Sequence, residues 1–497
     1  MTRDHLSYLP NEILCLILDK LDSLSVIRCA QVSRKLDSVS KDSHLYEYHV
    51  KLVLANLEDR TSDPAVGTLA RLKQLEKHQQ AWSTSTWSYS ETYDFSFSRA
   101  WELAGGVLGF CDNTNGFTFI RLPSLYREIE KEQRSFKVEE VGGTVEDFSF
   151  DPSQDLLVAV TRRVDSGRCW INVHLLTVDE GQPHPSASTP TFCAFEGAWN
   201  SDEGEYDIRI FNRRLGIMFM PDDDDDDPCR IGIWDWETGT LIRRLTGPVT
   251  FSFLTETLIV YSTRPDEDHP NTFGTLNVAD LDREASTPLV LQLPHFPGLY
   301  ELFIHSEIHS SHTRSARQRR VPFSVSEGDR LFVVGCRMWH GMRHIEAAIF
   351  IPLSTFLCHV DSARSNTRSI TVLAWDSWGP DGSKIVPIEF PDIWVCYVQG
   401  LRAAFLNYSD SILKPGARYS IYDLNPLLGR RRGICQEVEK LRTDQDPEDN
   451  LPQTNIPCTV LTGQLPGPDT MPSGLMLSED ALLVVSEEET EITVYSF

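Results

Sequence analysis

The sequence is short of the features that announce most chemistry. Its 11 cysteines are scattered, odd in number and contain no Cys-x-x-Cys pair, so neither a disulfide framework nor a zinc site is indicated. No apolar run reaches the length of a membrane span. The opening Met1-Thr2-Arg3-Asp4-His5 leads into an amphipathic segment, where a signal peptide would carry an unbroken apolar core. A place in the cytosol or nucleus is expected. Positive charge is scarce too: 46 Lys+Arg stand against 72 Asp+Glu, a net charge of -26. That balance excludes a general binder of nucleic acid or acidic membrane, both of which need a basic face, and suits a basic partner better.

Catalytic signatures are also missing. There is no Gly-x-Ser-x-Gly elbow, no His-Glu-x-x-His and no phosphate loop. His340 and His344 stand four apart, but their segment reads as a β hairpin, where the helical-face case for a metal pair fails. No cofactor and no metal is expected, and a non-catalytic role follows.

What is present begins with Leu9-Pro10-Asn11-Glu12-Ile13 and continues to Leu21. Pro10 sits where a fixed backbone angle and a missing amide donor are tolerated, and Asn11 and Glu12 place polar groups near the positive helix end. Ile13, Ile17 and Leu21 recur every four residues, with Leu14 and Leu18 beside them, giving a wide apolar face. Asp22-Ser23 offers a cap for a second helix, Leu24 to Gln31, whose apolar positions are Leu24, Ile27 and Val32. Two short helices in succession need a common partner.

At these residues the segment from Leu9 to about Val50 resembles an F-box, the helical motif that binds the adaptor subunit of cullin-type ubiquitin ligases. The match runs through Leu9, Pro10, Glu12, Ile13, Ile17, Leu21, Leu24, Cys29, Ala30, Val32, Ser33, Arg34 and Leu36. It departs at Ser33, where family members often carry Cys, and at Leu36, where they often carry Trp. The resemblance covers about a tenth of the chain. It implies adaptor binding through Leu9, Pro10, Glu12, Ile13, Ile17, Leu21, Leu24, Val32, Ser33 and Leu36, and through the adaptor a cullin. It is silent on the target.

The rest divides by composition. Residues 1–60 read as the F-box-like helical domain. Residues 61–81 read as a connector helix, with leucine every third position in Leu69 to Leu75. From residue 82 to 497 helical spacing gives way to aromatic and β-branched residues punctuated by turns. Searching this region for repeats finds seven pairs of strands. The first members include Gly106 to Phe110, Leu156 to Val160, Leu215 to Phe219 and Ala481 to Val485; the second include Gly116 to Leu122, Arg230 to Trp236 and Glu491 to Phe497. Upstream partners ending in acidic turns are read at Phe148 to Ser153, Phe323 to Asp329 and Leu475 to Asp480.

Three or four antiparallel strands repeated seven times describe a β-propeller. The expected fold class is therefore multidomain: a small all-α F-box followed by a large all-β domain, a seven-bladed propeller. Trp234-Asp235 and Tyr422-Asp423 give it a WD-like character. The terminal strand at Glu491 to Phe497 would expose a bare edge, so residues between about Ser85 and Phe97, including Tyr93 and Phe95, are expected to pair with it as the outer strand of the same blade.

Three charged runs remain. Asp222 to Asp227 is a solvated loop by default and does not fit a calcium loop, since the sixth and twelfth positions hold Asp227 and Ile233. Arg314, Arg317, Arg319 and Arg320, and likewise Arg430-Arg431-Arg432, fit a targeting signal or a phosphate patch. Together these features read as the substrate-recognition subunit of an SCF-type ubiquitin ligase. The target is unknown and offers a basic or modified segment. The alternatives are a non-degradative scaffold with an F-box-like motif and, in another class, a propeller enzyme.

Overall fold

The computed structural model of the chain describes residues 8–60, 66–139, 141–166, 168–197, 204–221, 229–263, 274–283, 289–307, 321–326, 328–340, 343–364, 371–391, 393, 396–407, 417–427, 451–466 and 472–497. The acidic run at Asp222, both arginine clusters and Trp394 lie outside them.

Four short helices open the fold: α1 (Asn11–Leu18), α2 (Ser23–Val32), α3 (Arg34–Asp42) and α4 (Leu45–Leu54). Pro10 caps α1 in an extended conformation, with the Leu14 amide donating back to its carbonyl at 3.1 Å. α1 ends at Leu18, a turn short of the expected Leu21, because the Lys20 and Leu21 amides turn back onto Ile17 and Leu18. Asp22 caps α2, accepting from the Ser25 amide at 2.9 Å. Ser33 caps α3 by accepting from the Leu36 amide. Leu14, Leu18, Val26, Val39 and Leu45 form the small core.

The fifth helix, α5 (Thr68–Thr84), runs past the expected boundary at 81, and Ser85 stops it in a left-handed conformation. Leu72 and Leu75 pack with Tyr48 and Leu52 of α4. Ala81 and Trp82 enter a second cluster between the last two blades, with Trp82 4.0 Å from the Phe497 ring.

Seven antiparallel sheets follow, spanning 98–137, 145–197, 204–246, 248–292, 299–387, 398–464 and 474–496. The strand pairs read from the sequence are the second and third strands of all seven blades. The seventh blade is closed by Tyr89–Asp94, which pairs antiparallel with Glu491–Ser496, Tyr93 opposite Ile492. Chain closure falls where the bare-edge argument put it, and Phe95 is buried just beyond the strand. Trp234 is buried in the third blade, and Asp235 caps the turn after its strand by accepting from the Thr238 amide at 3.0 Å.

Two expectations are corrected. The first strand of the fifth blade is Leu299–Ser306, not Phe323 to Asp329. Phe323–Val325 leaves the propeller and pairs with Leu57–Asp59 of the helical end, Asp59 opposite Phe323. The β domain also carries two helices, α6 (Leu353–Arg364) and α7 (Trp375–Gly382), inserted between the third and fourth strands of the fifth blade. Between them Thr371–Leu373 adds a parallel strand to the outer edge of the fourth blade, which covers that edge.

The helical end meets one end of the propeller. Its polar contacts go to connections between first and second strands and to those after third strands. His78 lies 3.1 Å from Asp480. Tyr48 donates to the Pro322 carbonyl at 3.2 Å. Asn425 donates to the Leu54 carbonyl at 2.8 Å. Beneath α5, buried Arg127 reaches Glu479 at 2.7 Å and Asp480 at 2.5 Å, and its Nε donates to the Phe323 carbonyl at 3.0 Å. Arg71, also buried, joins Asp19 at the end of α1 to Asp59. The hairpins between second and third strands therefore stand at the opposite end.

Candidate functional site

An eight-residue helix with five apolar side chains cannot bury them all against one small core. In α1, Leu14 and Leu18 turn inward, and Ile13, Leu16 and Ile17 turn out. The same division occurs in α2, where Val26 and Ala30 are buried and Leu24 and Val32 are not. With Tyr8 ahead of α1, these six outward residues are between 39% and 83% exposed. Scattered exposed leucines are ordinary, but five large apolar groups on two successive short helices, with Tyr8 ahead of them, form a surface that water penalises.

Polar contacts hold this surface in place. Lys35 Nζ donates to the Leu9 carbonyl at 2.8 Å, tying the turn before α1 to α3. The Ser25 hydroxyl and amide hold the Asp22 carboxyl below its usual range, which keeps a negative charge at the positive end of α2. Ser23 Oγ lies 2.9 Å from buried His49 of α4. At Ser33, where the sequence departs from the family pattern, the hydroxyl supplies the α3 cap.

Of the ten residues read as adaptor-binding, Pro10, Glu12, Ile13, Ile17, Leu24 and Val32 are exposed together on α1, α2 and the turn before them. Leu9, Leu21 and Leu36 are half-buried against the bundle's own core. Two exposed members, Tyr8 and Leu16, were not among the ten. The width of the apolar arc in α1 was the available signal for Leu16, since Leu14 and Leu16 cannot share a helix face.

A second group of ionisable residues sits inside the propeller on or beside the inner strands. Asp207 lies 2.6 Å from Arg209. Cys396 Sγ donates to Glu102 at 2.8 Å. Burial pushes the Glu102 carboxyl up to about 7, against the opposing pull of the Cys396 and Leu103 donors and Arg209. Glu102, Asp207, Arg209 and Cys396 are all buried.

Comparison with solved structures finds low-identity likenesses. Hydrazine synthase of Kuenenia stuttgartiensis is 12% identical over 82% of this chain and 97% of that one, with a TM-score of 0.39. An uncharacterised protein of Listeria monocytogenes is 9% identical over 82% and 94%, at 0.36. Sqt1 of Chaetomium thermophilum is 10% identical over 79% and 81%, at 0.33. No curated protein matches the sequence. The F-box-like family matches residues 6–51, which include α1 to α3, most of α4 and all six outward apolar residues. F-box domains generally bind the adaptors of cullin-type ligases, and F-box plus propeller is an architecture typical of non-catalytic adaptors. Residues 6–51 thus match the F-box-like family, and the chain joins that segment to a seven-bladed β-propeller.

Proposed function

We propose that the protein is the substrate-recognition subunit of an SCF-type ubiquitin ligase. The adaptor covers the outward face of α1 and α2 and links the chain to a cullin, and the propeller holds the target while a partner enzyme attaches ubiquitin. In this role the chain performs no catalysis of its own and works in the cytosol or nucleus.

The observation that carries the proposal is the exposure of Ile13, Leu16, Ile17, Leu24 and Val32 on the segment that matches the F-box-like family. The polarity of the junction supports it as well. α5, Arg127 and the Leu57–Asp59 pairing seat the helices on one end of the propeller, so that among the described residues the helices leave the other end to a target.

Co-purification of the adaptor from cells tests the docking role. Changing Leu9 and Pro10 together to Ala should abolish it while the propeller stays folded, and full retention contradicts the assignment. Accumulation of a bound protein when the chain is depleted separates ligase delivery from a scaffold that binds the adaptor without passing on a target.

A further inference from the structure

At the end of the propeller away from the helices, three aromatic side chains of the fifth blade turn outward. Trp339 is 51% exposed near the tip of the hairpin Leu331–His340 and Arg343–Pro352. His344 stands directly opposite it in the ladder. Tyr300 comes from the neighbouring first strand, where the register slips between Leu299 and Glu301 and leaves it as the extra residue of a bulge. Bulges of this kind re-aim a side chain at the cost of ladder bonding.

The three rings form one group. Tyr300 stacks on Trp339 with centroids 5.8 Å apart, Trp339 lies 5.4 Å from His344, and the Tyr300 hydroxyl is 2.6 Å from His344 Nε2. The backbone is shaped for this group. Gly298 has φ +72°, and a Cβ there would meet the Trp339 carbonyl oxygen at 2.1 Å; Trp339 donates its amide to the Gly298 carbonyl at 2.9 Å. Blade packing does not require the arrangement, because all three side chains are exposed. Phe97, 81% exposed between the closing strand and the first blade, lies at the same end.

The charges beside the rings balance, Arg337 and Arg343 against Glu301 and Glu346, and the acidic excess at this end comes from farther round the propeller. Arg337 is committed to Glu346 at 2.6 Å and Glu301 at 3.2 Å, and Arg343 is the hairpin's own exposed cation. Two blades on, the hairpin at the same end exposes Glu487, Glu488 and Glu489 in succession, within a chain of net charge -26.

We infer that Tyr300, Trp339 and His344 are the anchor for the target, receiving an arginine or lysine of a basic segment over the Trp339 face. An indole is the best aromatic partner for a cation, the apolar stem of such a side chain can lie along the rings, and Trp and Tyr dominate the energetics of protein interfaces. The acidic hairpin raises the local concentration of a basic segment and speeds its encounter. The inference rests on the proposed role of the propeller as the target-holding domain.

The test uses the full chain and two fluorescent peptides, one of repeated Gly-Ser-Arg and its Gly-Ser-Glu counterpart, followed by anisotropy. The basic peptide should bind in preference to the acidic one. Trp339→Ala should weaken it by about three- to thirty-fold, with Trp339→Phe, which keeps an aromatic face, in between. Thermal unfolding of both variants should match the parent, since the ring is about half exposed at the surface.

Equal binding to the parent and Trp339→Ala overturns the inference, as does preference for the acidic peptide. Self-association of the chain that disappears in Trp339→Ala also overturns it, by naming a second copy as the occupant. Adaptor binding is measured on the same samples. Its retention when the basic peptide fails sinks only this inference, and its loss with peptide binding intact sinks only the docking role.

Discussion

Leu16 and Val32 offer the sharpest measurement of the docking face. Leu16 is 63% exposed and Val32 82%, so an adaptor that covers them gains burial the free chain lacks. Leu→Ala removes three carbons, about 2.4 kcal/mol at ~0.8 kcal/mol per buried CH₂, and the exposed share brings this to about 1.5 kcal/mol. The same arithmetic for Val→Ala gives about 1.3 kcal/mol. The double variant should therefore bind purified adaptor about 100-fold more weakly, since about 1.4 kcal/mol is tenfold. Titration calorimetry reads that change directly. Thermal unfolding of the variant alone should barely move, because neither side chain packs in the helical core. Leu14→Ala is the contrast: at 1% exposure it should cost about 2–5 kcal/mol of stability. Unchanged affinity in the double variant, or a stability loss comparable to that of Leu14→Ala, would refute the division of α1 and α2 into inward and outward faces.

Two further measurements probe the seat and the propeller interior. Arg127→Met strands Glu479 and Asp480 in a buried position and should cost about 3–5 kcal/mol in denaturant unfolding; a loss below about 1 kcal/mol would mean the cluster is dispensable. Glu102, pushed up to about 7 from 4.5 by burial, keeps its proton in the native state after the unfolded chain has released one. The contribution of Glu102 to stability should therefore fall as pH rises from about 4.5 to about 7 and level off beyond, by up to about 3 kcal/mol in total. Glu102→Gln cannot ionise, so its stability relative to wild type should grow across that window in paired urea titrations. A difference that does not change with pH would show the carboxyl to be unperturbed.

The middle strands of each blade were legible because neighbouring blades bury both of their faces, so Leu156 to Val160 and Ala481 to Val485 read as apolar runs. Most inner and outer strands were not, the inner strands at Phe148 and Leu475 and the closing strand at Tyr89 being the exceptions. Gly204–Phe211 carries Asp207 and Arg209 toward the interior, and Glu132–Lys137 is an exposed edge; neither pattern separates from a loop in sequence. Phe323 to Asp329 has the local form of a blade opening, an apolar strand before an acidic turn, and only its pairing with Leu57–Asp59 shows otherwise. α6 did leave a trace, since Leu353, Phe356 and Val360 stand at helical spacing and all three are buried. In the F-box-like segment the motif marked α1 and α2, but α1 is apolar on both sides, and sequence spacing alone could not say which side faces its own core. The Tyr300–Trp339–His344 group draws on strands whose register slips by one residue, which no periodicity reveals.

Two pairings described above set the order in which this chain can finish folding. Leu57–Asp59 waits for Phe323–Val325, and Tyr89–Asp94 waits for Glu491–Ser496. Contacts of such sequence separation form late and slowly, and on the ribosome they cannot form until the distant partner has emerged. The helices of the F-box-like segment are thus made first but seated late, and the ring that would hold a target stays open until residue 496 exists. An unfinished copy exposes the outward face of α1 and α2 without a closed propeller behind it, so under the proposed function the closing strand would be a checkpoint on which copies can couple an adaptor to a target at all.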